Sequence, residues 1–352
     1  MSEVPKTLDF ESIVRNEERG RTLLEMLSSR FTYHSALEWK EKIESGLVTL
    51  DGKRASADTR LLPKSRVVYR VENYSEPDVP TDFETLYEDD DFLILSKPAG
   101  IPVHHTGRIF YNTFTGVVRR KFHNDEISPM HRLDRDTGGI MLFAKDRDTA
   151  RRFEKSLEHI LLRKVYVAVV RGIFPDGEVP CEEPLREDAS GDIKIQMFPR
   201  ADGKPCKTLF RRIGTLDAVE GSPSTEPVSI VAAELFTGRK HQIRAHLAFL
   251  GYPIVGDKIY SLGGKFYKKQ ASEHFLGESD YRELGARTQM LFAYFALIRL
   301  PGKDPIRIFA HKLTPEMDAF VRRLDPLAWD AFWRSVQTPE NPSEIPQIAS
   351  IF

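Results

Sequence analysis

His131-Arg132-Leu133-Asp134-Arg135-Asp136-Thr137-Gly138-Gly139 leads directly into the apolar run Ile140-Met141-Leu142-Phe143-Ala144. The apolar run predicts a buried strand, and the two glycines predict a tight loop before it. Asp134 lies in this loop between Arg132 and Arg135, and nearby cations lower the pKa of a carboxylate. An anionic carboxylate can attack carbon, which makes Asp134 a candidate nucleophile. The same residues also fit a surface ion pair in a turn, because structural ion pairs perturb pKa values too.

Three further blocks of sequence stand out on either side of this segment. The first joins an acidic and apolar run to a Lys-Pro-x-Gly turn. The second is a Lys-x-Tyr triplet followed by a β-branched run and a glycine. The third is a basic stretch with a Gln and an Arg, followed by a Gly-Asp pair. These blocks comprise residues 88–104, residues 164–172, and residues 237–247 with 251–257.

In this order the four blocks resemble the signature of the RluA-type family of RNA pseudouridine synthases, over roughly residues 80–325. The resemblance implies that Asp134 carries out a reaction in which the uracil is cut from its sugar and rejoined through carbon. Such an isomerisation uses no redox equivalents, group donor or phosphate energy, so no cofactor is expected. The sequence also contains no Walker-type loop and no credible dinucleotide fingerprint. RNA is the implied partner.

The resemblance also implies roles for other residues of the four blocks. Arg244 is implied to pair with Asp134, and a phosphate contact is the alternative. Tyr166 is implied to hold the flipped uracil, and a core position in a strand is the alternative. Arg132 is implied to enter the RNA and occupy the space of the extruded base. The remaining candidates for substrate binding are His131, Thr137, Arg239, His241 and Gln242.

Two positions depart from the family pattern. Gly138 stands where the family usually has serine, so the loop lacks a hydroxyl group and its backbone is less restricted. Lys240 stands where threonine is commoner. Neither residue is implied to take part in the chemistry.

The charge of the chain is close to balanced, with 51 basic and 52 acidic residues among 352. RNA-binding proteins often carry a basic excess, but a local field depends on where the charges lie. Residues 119–121 and 239–244 are basic and adjoin the motif blocks, which predicts a basic face beside the site; ordinary solvated surface is the alternative. The two cysteines, the lack of a membrane-length apolar run and the N-terminal composition lead us to expect a soluble, cytoplasmic protein, and we expect a monomer.

Four segments are expected along the chain. Residues 1–18 are polar without apolar periodicity and predict a loose arm. Residues 19–75 contain two amphipathic helices and a Val-x-Leu-Asp-Gly-Lys hairpin, which resemble a divergent S4 RNA-binding domain. A small α+β adaptor that does not touch RNA is the alternative. Residues 76–335 are expected to form the catalytic domain, and residues 336–352 a tail.

Within the expected catalytic domain, short apolar strands are interrupted by helices. The clearest predicted helix covers residues 149–162, with Asp148 as its cap, and another covers residues 241–250. Strands mixed with scattered helices predict an α+β fold. The resemblance implies a mixed, mainly antiparallel sheet of the pseudouridine synthase type.

Two other classes of function are alternatives, a metal-dependent hydrolase and a non-catalytic RNA-binding scaffold. Several histidines and the acidic run at residues 88–91 could be assembled into a metal-dependent hydrolase, but His241 and His246 are five residues apart and do not share a helical face as an i, i+4 pair would. An RNA-binding scaffold without catalysis is disfavoured because Asp134, Tyr166 and Arg244 are all present. The histidines of the first alternative are His104, His105, His131, His241 and His246.

The RNA target follows from the resemblance only in part. Relatives with an S4-like module mostly modify large-subunit ribosomal RNA, so ribosomal RNA is slightly favoured. Residues 104–113 and 172–181, however, look more like the branch of the family that modifies tRNA in the anticodon stem-loop.

Overall fold

The computed structural model describes residues 7–106, 109–187, 191–217, 226–273 and 275–337. The chain forms two compact units, Met1–Pro77 and Asp78–Phe352. Each unit has its own hydrophobic core. Residues 338–352 of the predicted tail lie outside the described residues, whereas residues 336 and 337 end a helix.

The N-terminal unit is a four-stranded antiparallel sheet with two helices. Its elements are β1 (Thr7–Ile13), α1 (Leu23–Arg30), α2 (Ala36–Glu44), β2 (Val48–Leu50), β3 (Lys53–Arg54) and β4 (Arg66–Glu72), with strand order β1-β4-β2-β3. Thr22 and Ser35 cap the two helices by accepting hydrogen bonds from backbone N–H groups in the first turn. Trp39 of α2 is fully buried in the core of this unit.

The prediction of a loose arm over residues 1–18 is wrong for the part that the structure describes. Strand β1 pairs along its whole length with β4. Its acidic residues alternate with less exposed ones, and Asp9 accepts two hydrogen bonds of 2.8 Å from the guanidinium of Arg70 across the sheet. Alternation and cross-strand ion pairs hold a polar strand at a sheet edge, although its apolar content is low.

The C-terminal unit is built on a ten-stranded sheet. The strand order is β10-β13-β14-β9-β15-β8-β6-β5, with β16 beside β15 and β7 beside β8; β11 and β12 form a separate pair. The strands are β5 (Glu84–Glu88), β6 (Phe92–Lys97), β7 (Ser128–Pro129), β8 (Gly138–Ala144), β9 (Leu161–Arg171), β10 (Glu178–Cys181), β11 (Leu185–Glu187), β12 (Met197–Pro199), β13 (Thr208–Leu216), β14 (Val228–Leu235), β15 (Leu291–Ile298) and β16 (Ile306–Phe309).

Neighbouring strands of this sheet are antiparallel except β15 and β8, which run parallel. The predicted α+β class with a mixed, mainly antiparallel sheet is therefore confirmed. The helices are α3 (Phe114–Phe122), α4 (Arg147–Phe153), α5 (Leu157–Ile160), α6 (Gln242–Phe249), α7 (Lys265–Glu273), α8 (Glu278–Leu284), α9 (Pro315–Val321) and α10 (Pro326–Gln337). No helix among the described residues is long and apolar enough to cross a membrane.

The helix predicted over residues 149–162 is interrupted. Helix α4 is capped by Asp146, whose carboxylate accepts from the N–H groups of Asp148 and Thr149, so the cap lies two residues before the predicted one. A 3-10 turn over Glu154–Ser156 separates α4 from the single turn α5, and Leu161 already belongs to β9. The apolar periodicity predicts one helix, because the sequence does not show which of these apolar residues pair with neighbouring strands of the sheet.

Gly138 and Gly139, the first two residues of β8, allow this strand to approach β15. Gly139 has φ of 106°, and a Cβ atom at this position would lie 2.2 Å from the carbonyl oxygen of Ala293. A Cβ atom on Gly138 would lie 2.8 Å from the ring of Phe292. Both glycines pair with these same residues of β15. Because these two residues have no side chains, the chain that follows Asp134 can pair with β15 at this point.

We expect Gly139→Ala to lower the free energy of unfolding by about 3 kcal/mol or more, because a left-handed backbone and a backbone clash are both imposed. Gly302→Ala is the matched control: its φ is 73°, but a Cβ atom there meets nothing within 4 Å, so about 1–2 kcal/mol is expected. Urea unfolding measures both values. Equal losses would show that the approach of β8 to β15 is not the constraint.

Candidate active site

The candidate nucleophile and the predicted arginine meet in the C-terminal unit. Nη1 of Arg244, in α6, donates a hydrogen bond of 2.7 Å to Oδ2 of Asp134, in the loop before β8. The side chain of Arg244 is 6% exposed and that of Asp134 is 25% exposed. The carboxylate is therefore partly accessible, whereas its cation is buried. Arg244 donates three side-chain hydrogen bonds that the structure describes, and all three are accepted by carboxylate oxygens.

A second carboxylate holds Arg244 from the other side. Nε and Nη2 of Arg244 donate to the two oxygens of Asp257 at 2.7 and 2.9 Å. Asp257 is fully buried, and it also accepts from the N–H groups of Ile259 and Tyr260 at 2.9 and 3.1 Å. Two acceptors thus compensate the buried guanidinium, which fixes its fork in one orientation. Asp257 belongs to the third motif block, but sequence reasoning gave it no role.

The electrostatic result is an ionised Asp134. Burial raises the pKa of this carboxyl, but the positive charge of Arg244 and hydrogen bonds from Arg244 and Gln289 together outweigh burial, so the pKa of Asp134 lies below its usual value of 3.8. Asp257 shows the same balance between burial and Arg244, and its pKa is lowered as well. At neutral pH the site therefore holds two anionic carboxylates around one cation, with Asp134 open to a ligand.

Buried polar groups hold the loop that carries Asp134. Lys97, at the end of β6, is fully buried and its Nζ donates to the carbonyl oxygens of Pro98, Ile101 and Arg135 at 2.9, 2.8 and 3.0 Å. Burial lowers the pKa of Lys97 to about 7. One ammonium group thus ties the Lys-Pro-x-Gly turn to the catalytic loop. The lysine was part of a motif block, but its place in the loop was not predicted.

Tyr166 lies in the middle of β9, between Ala233 of β14 and Ala293 of β15. The residue is 8% exposed. Burial raises the pKa of its phenol above the usual value, and the charge of Asp134 raises it further. The hydroxyl is therefore protonated at neutral pH, which leaves the ring face and an O–H donor as what Tyr166 can present to a ligand.

Three residues predicted to bind substrate have their polar groups bonded inside the protein. Thr137 is 2% exposed and its hydroxyl accepts from Nε2 of Gln289 at 2.6 Å. Gln242 is 3% exposed, and its amide bonds to residues 207, 208, 237 and 239. Nε2 of His131 accepts from the N–H of Leu142 at 3.1 Å. These bonds hold the loops of the site, and contact of these three residues with substrate stays a prediction.

The other predicted contacts lie at the surface of the site. Arg132 and Arg239 are exposed. Within the described ranges Arg132 makes no side-chain hydrogen bond or ion pair, whereas Nε of Arg239 donates to the carbonyl of Pro205 at 3.2 Å. His241 is 8% exposed, and its Nε2 lies 3.8 Å from Oδ2 of Asp134. Of these three, His241 lies beside Asp134, and contact of Arg132 and Arg239 with RNA stays a prediction.

The histidines do not form the arrangement that a metallohydrolase needs. Nδ1 of His246 lies 3.0 Å from the hydroxyl of Thr208 and its Nε2 lies 3.0 Å from the carbonyl of Glu183, whereas His241 faces Asp134. Among the residues that the structure describes, no group of three or more His, Cys, Asp or Glu side chains could hold a metal ion. His241 lies immediately before α6 and His246 lies within it, and the two side chains contact different groups.

We expect Asp257→Ala to lower the free energy of unfolding by about 3–5 kcal/mol at pH 7, because a buried cation loses one of its two counter-charges. Since the pKa of Asp257 is lowered on folding, its stabilisation is complete above about 3.8 and is lost as the pH falls through the folded value. Urea unfolding of the wild type and the variant should therefore converge in acid.

Glu234→Ala provides the control for this prediction. Glu234 pairs in the same bidentate way with Arg163, at 2.7 and 2.9 Å, but the arginine side chain is 23% exposed and can recover water. We expect a smaller loss of stability than for Asp257→Ala. Losses of the same size at pH 7 would contradict the argument from burial.

Comparison with known proteins supplies an independent observation. Residues 91–249 match the sequence profile of a family described as RNA pseudouridylate synthase. The tRNA pseudouridine(32) synthase, mitochondrial, of Saccharomyces cerevisiae is 32% identical over 259 residues, which are 73% of this chain and 54% of that protein. The tRNA pseudouridine(31) synthase of the same yeast is 30% identical over 283 residues, covering 71% of this chain and 69% of that protein.

The chain spans between 45% and 64% of the length of the first curated relatives that it matches. Among solved structures, human RNA Pseudouridylate Synthase Domain Containing 1 is similar to 76% of this chain over 100% of its own, with a TM-score of 0.56 and 22% identity. This likeness shows the fold of the C-terminal unit to be one that such proteins share.

Proposed function

The chain belongs to the RluA-type family of RNA pseudouridine synthases, and from this premise we propose that it converts uridine to pseudouridine in RNA, with Asp134 as the catalytic carboxylate. One observation carries the proposal: Asp134 is kept anionic by the buried Arg244 while a quarter of its side chain stays accessible. An anionic carboxylate that stays accessible is what attack on carbon requires.

The reaction breaks the bond between the sugar C1′ and uracil N1 and forms a bond from C1′ to uracil C5. N1 gains a proton and C5 loses one, so atoms and charge balance without a cofactor. An anionic Asp134 can attack C1′, remove a sugar proton or add to the uracil ring. Each route requires the ionised form that Arg244 maintains.

Access to the uridine requires that it leave the RNA stack. Extruding a base costs on the order of a few kcal/mol, which contacts with the protein must offset. We assign the ring of Tyr166 to the extruded uracil, because the resemblance of its motif block to the family implies that role and an aromatic ring can stack on a base. The exposed Arg132, two residues before Asp134, is assigned to the space that the base vacates.

We expect Asp134→Asn to abolish pseudouridine formation while leaving the fold and the affinity for RNA nearly intact, because the amide keeps the shape but loses the charge. The matched control is Asp136→Asn. Asp136 lies in the same loop with a side chain 22% exposed, but it pairs with Lys258 at 3.0 Å and not with Arg244. Pseudouridine is quantified by mass spectrometry of digested RNA.

Turnover by Asp134→Asn at the wild-type rate would overturn the assignment of the carboxylate. Inactivity of the wild type on every RNA, with binding retained, would instead favour the non-catalytic scaffold. If Asp136→Asn were as inactive as Asp134→Asn, the effect would belong to the loop as a whole.

For the target, we propose tRNA in preference to ribosomal RNA. Two relatives are named for positions 31 and 32 of tRNA, which are adjacent, and residues 104–113 and 172–181 resemble the tRNA-modifying branch. We give these observations more weight than the general tendency of relatives with an S4-like module to modify ribosomal RNA. The N-terminal unit is proposed to contact the same RNA; the monomeric state and the cytoplasmic location stay predictions.

Mapping of pseudouridines across total RNA, with and without the gene, tests the target. We expect the loss of one or more sites in the anticodon region of tRNA and no change in ribosomal RNA. Restoration by the wild-type gene but not by Asp134→Asn would link the sites to this protein. Loss confined to ribosomal RNA would contradict the proposed target but not the proposed activity.

A further inference from the structure

Tyr260 and His241 form a contact behind the catalytic carboxylate that the function proposed above leaves unexplained. The hydroxyl of Tyr260 accepts a hydrogen bond of 2.8 Å from the N–H of Met197, in β12. The same hydroxyl lies 3.2 Å from Nδ1 of His241. The other nitrogen of His241, Nε2, points towards Oδ2 of Asp134 at 3.8 Å.

The donors and acceptors of this chain can be assigned one by one. A phenol has a single proton to donate, and the lone pair that faces Met197 is already used. In the part of the chain that the structure describes, Nδ1 of His241 is the one acceptor within reach of the Tyr260 proton. If Nδ1 accepts this proton, then the single proton of a neutral imidazole must be on Nε2.

The surroundings keep the ring of His241 neutral. Burial and the positive charges of Arg244 and Lys240 disfavour the imidazolium, and the negative charges of Asp134 and Asp257 favour it. Burial is the largest effect, and the pKa of His241 is lowered to about 4. At neutral pH the ring therefore has one proton, and its position is a choice between two nitrogens.

The backbone conformation of His241 is a second observation, independent of the hydrogen bonds, that its side chain is held in a fixed position. His241 has φ of 53° and ψ of 19°, the left-handed region, immediately before α6. That conformation costs a residue with a Cβ atom roughly 1–2 kcal/mol. Such strain persists where the surrounding structure imposes it, and it is common at active sites. Here it turns the imidazole of His241 towards Asp134.

We propose that Tyr260 fixes His241 as the Nε2–H tautomer, and that His241 is thereby a positioning residue, which donates to Oδ2 of Asp134 when RNA occupies the cleft. The inference rests on the proposed function, in which Asp134 is the catalytic carboxylate. In the free protein the two atoms are 3.8 Å apart, and catalytic hydrogen bonds often shorten when substrate binds. With Arg244, the carboxylate would then have two donors on one oxygen, which limits its rotation.

The tautomer can be measured without any assay of activity. Long-range correlation spectra of protein labelled with 15N-histidine distinguish a protonated ring nitrogen from an unprotonated one, and His241→Gln identifies the signal among the ten histidines. We expect protonation at Nε2 in the wild type. Tyr260→Phe should shift the proton wholly or partly to Nδ1, because the donor to Nδ1 is gone.

Tyr267→Phe is the matched control, since Tyr267 packs against the same small cluster of buried residues as Tyr260 but is not bonded to His241. Its spectrum should keep the wild-type tautomer. Protonation of Nδ1 in the wild type, or an unchanged spectrum in Tyr260→Phe, would overturn the inference. This result does not depend on whether pseudouridine is formed.

A pair of substitutions tests the donor itself and does not require Tyr260→Phe to fold. His241→Gln places an amide N–H near the position of Nε2, whereas the shorter amide of His241→Asn cannot reach it. Asparagine also tolerates the left-handed conformation. We expect kcat to fall up to about 100-fold in the Asn variant and at least tenfold less in the Gln variant, with KM for RNA little changed in both.

Equal losses of kcat in the two variants, or losses that appear in KM instead, would overturn the positioning role. An inactive wild type would overturn the proposed function, and the positioning role with it. If the wild type is active and kcat falls equally in His241→Asn and His241→Gln, this inference is overturned and the proposed function is not.

Discussion

The burial of Arg244 between two carboxylates is the interaction on which the site depends. The side chain of Arg244 is 6% exposed, so its guanidinium has lost most of its hydration, and one ion pair rarely recovers that loss. Asp257 recovers part of it from inside the fold, with two bonds to the fork. Nη1 donates one of its protons to Asp134, which stays anionic although three quarters of its side chain is covered. One carboxylate is structural, so that the other is available for chemistry.

The sheet supplies the rigidity that this arrangement needs. The catalytic loop passes directly into β8, which approaches β15 so closely that only glycine fits at residue 139. Lys97 ties the loop to the preceding turn through three carbonyl groups, and Lys258 pairs with Asp136 on the loop's other side. A flexible loop would lose entropy each time it formed a productive geometry, whereas this one is held before RNA arrives.

The polar residues around Asp134 differ in whether their polar atoms are already bonded within the protein. Thr137 and Gln242 have the residue types of substrate contacts, but each has its polar atoms bonded within the protein. Arg132 is the reverse case, an exposed cation without such bonds among the described residues. The distinction depends on burial, and burial is a property of the folded chain.

The sequence by itself determined the order of the motif blocks, the α+β class and the candidate Asp134, because these follow from residue types and short-range spacing, whereas the candidates Tyr166 and Arg244 came from the resemblance of the motif blocks to the family. It did not reveal strand β1, whose polar residues are held by arginines about 60 positions later, or the break between α4 and β9. Only the tertiary structure decided which carboxylates surround Arg244, and which nitrogen of His241 faces Asp134. These are contacts between segments up to 110 residues apart, and they exist only after sheet register has brought the segments within a few ångströms of each other.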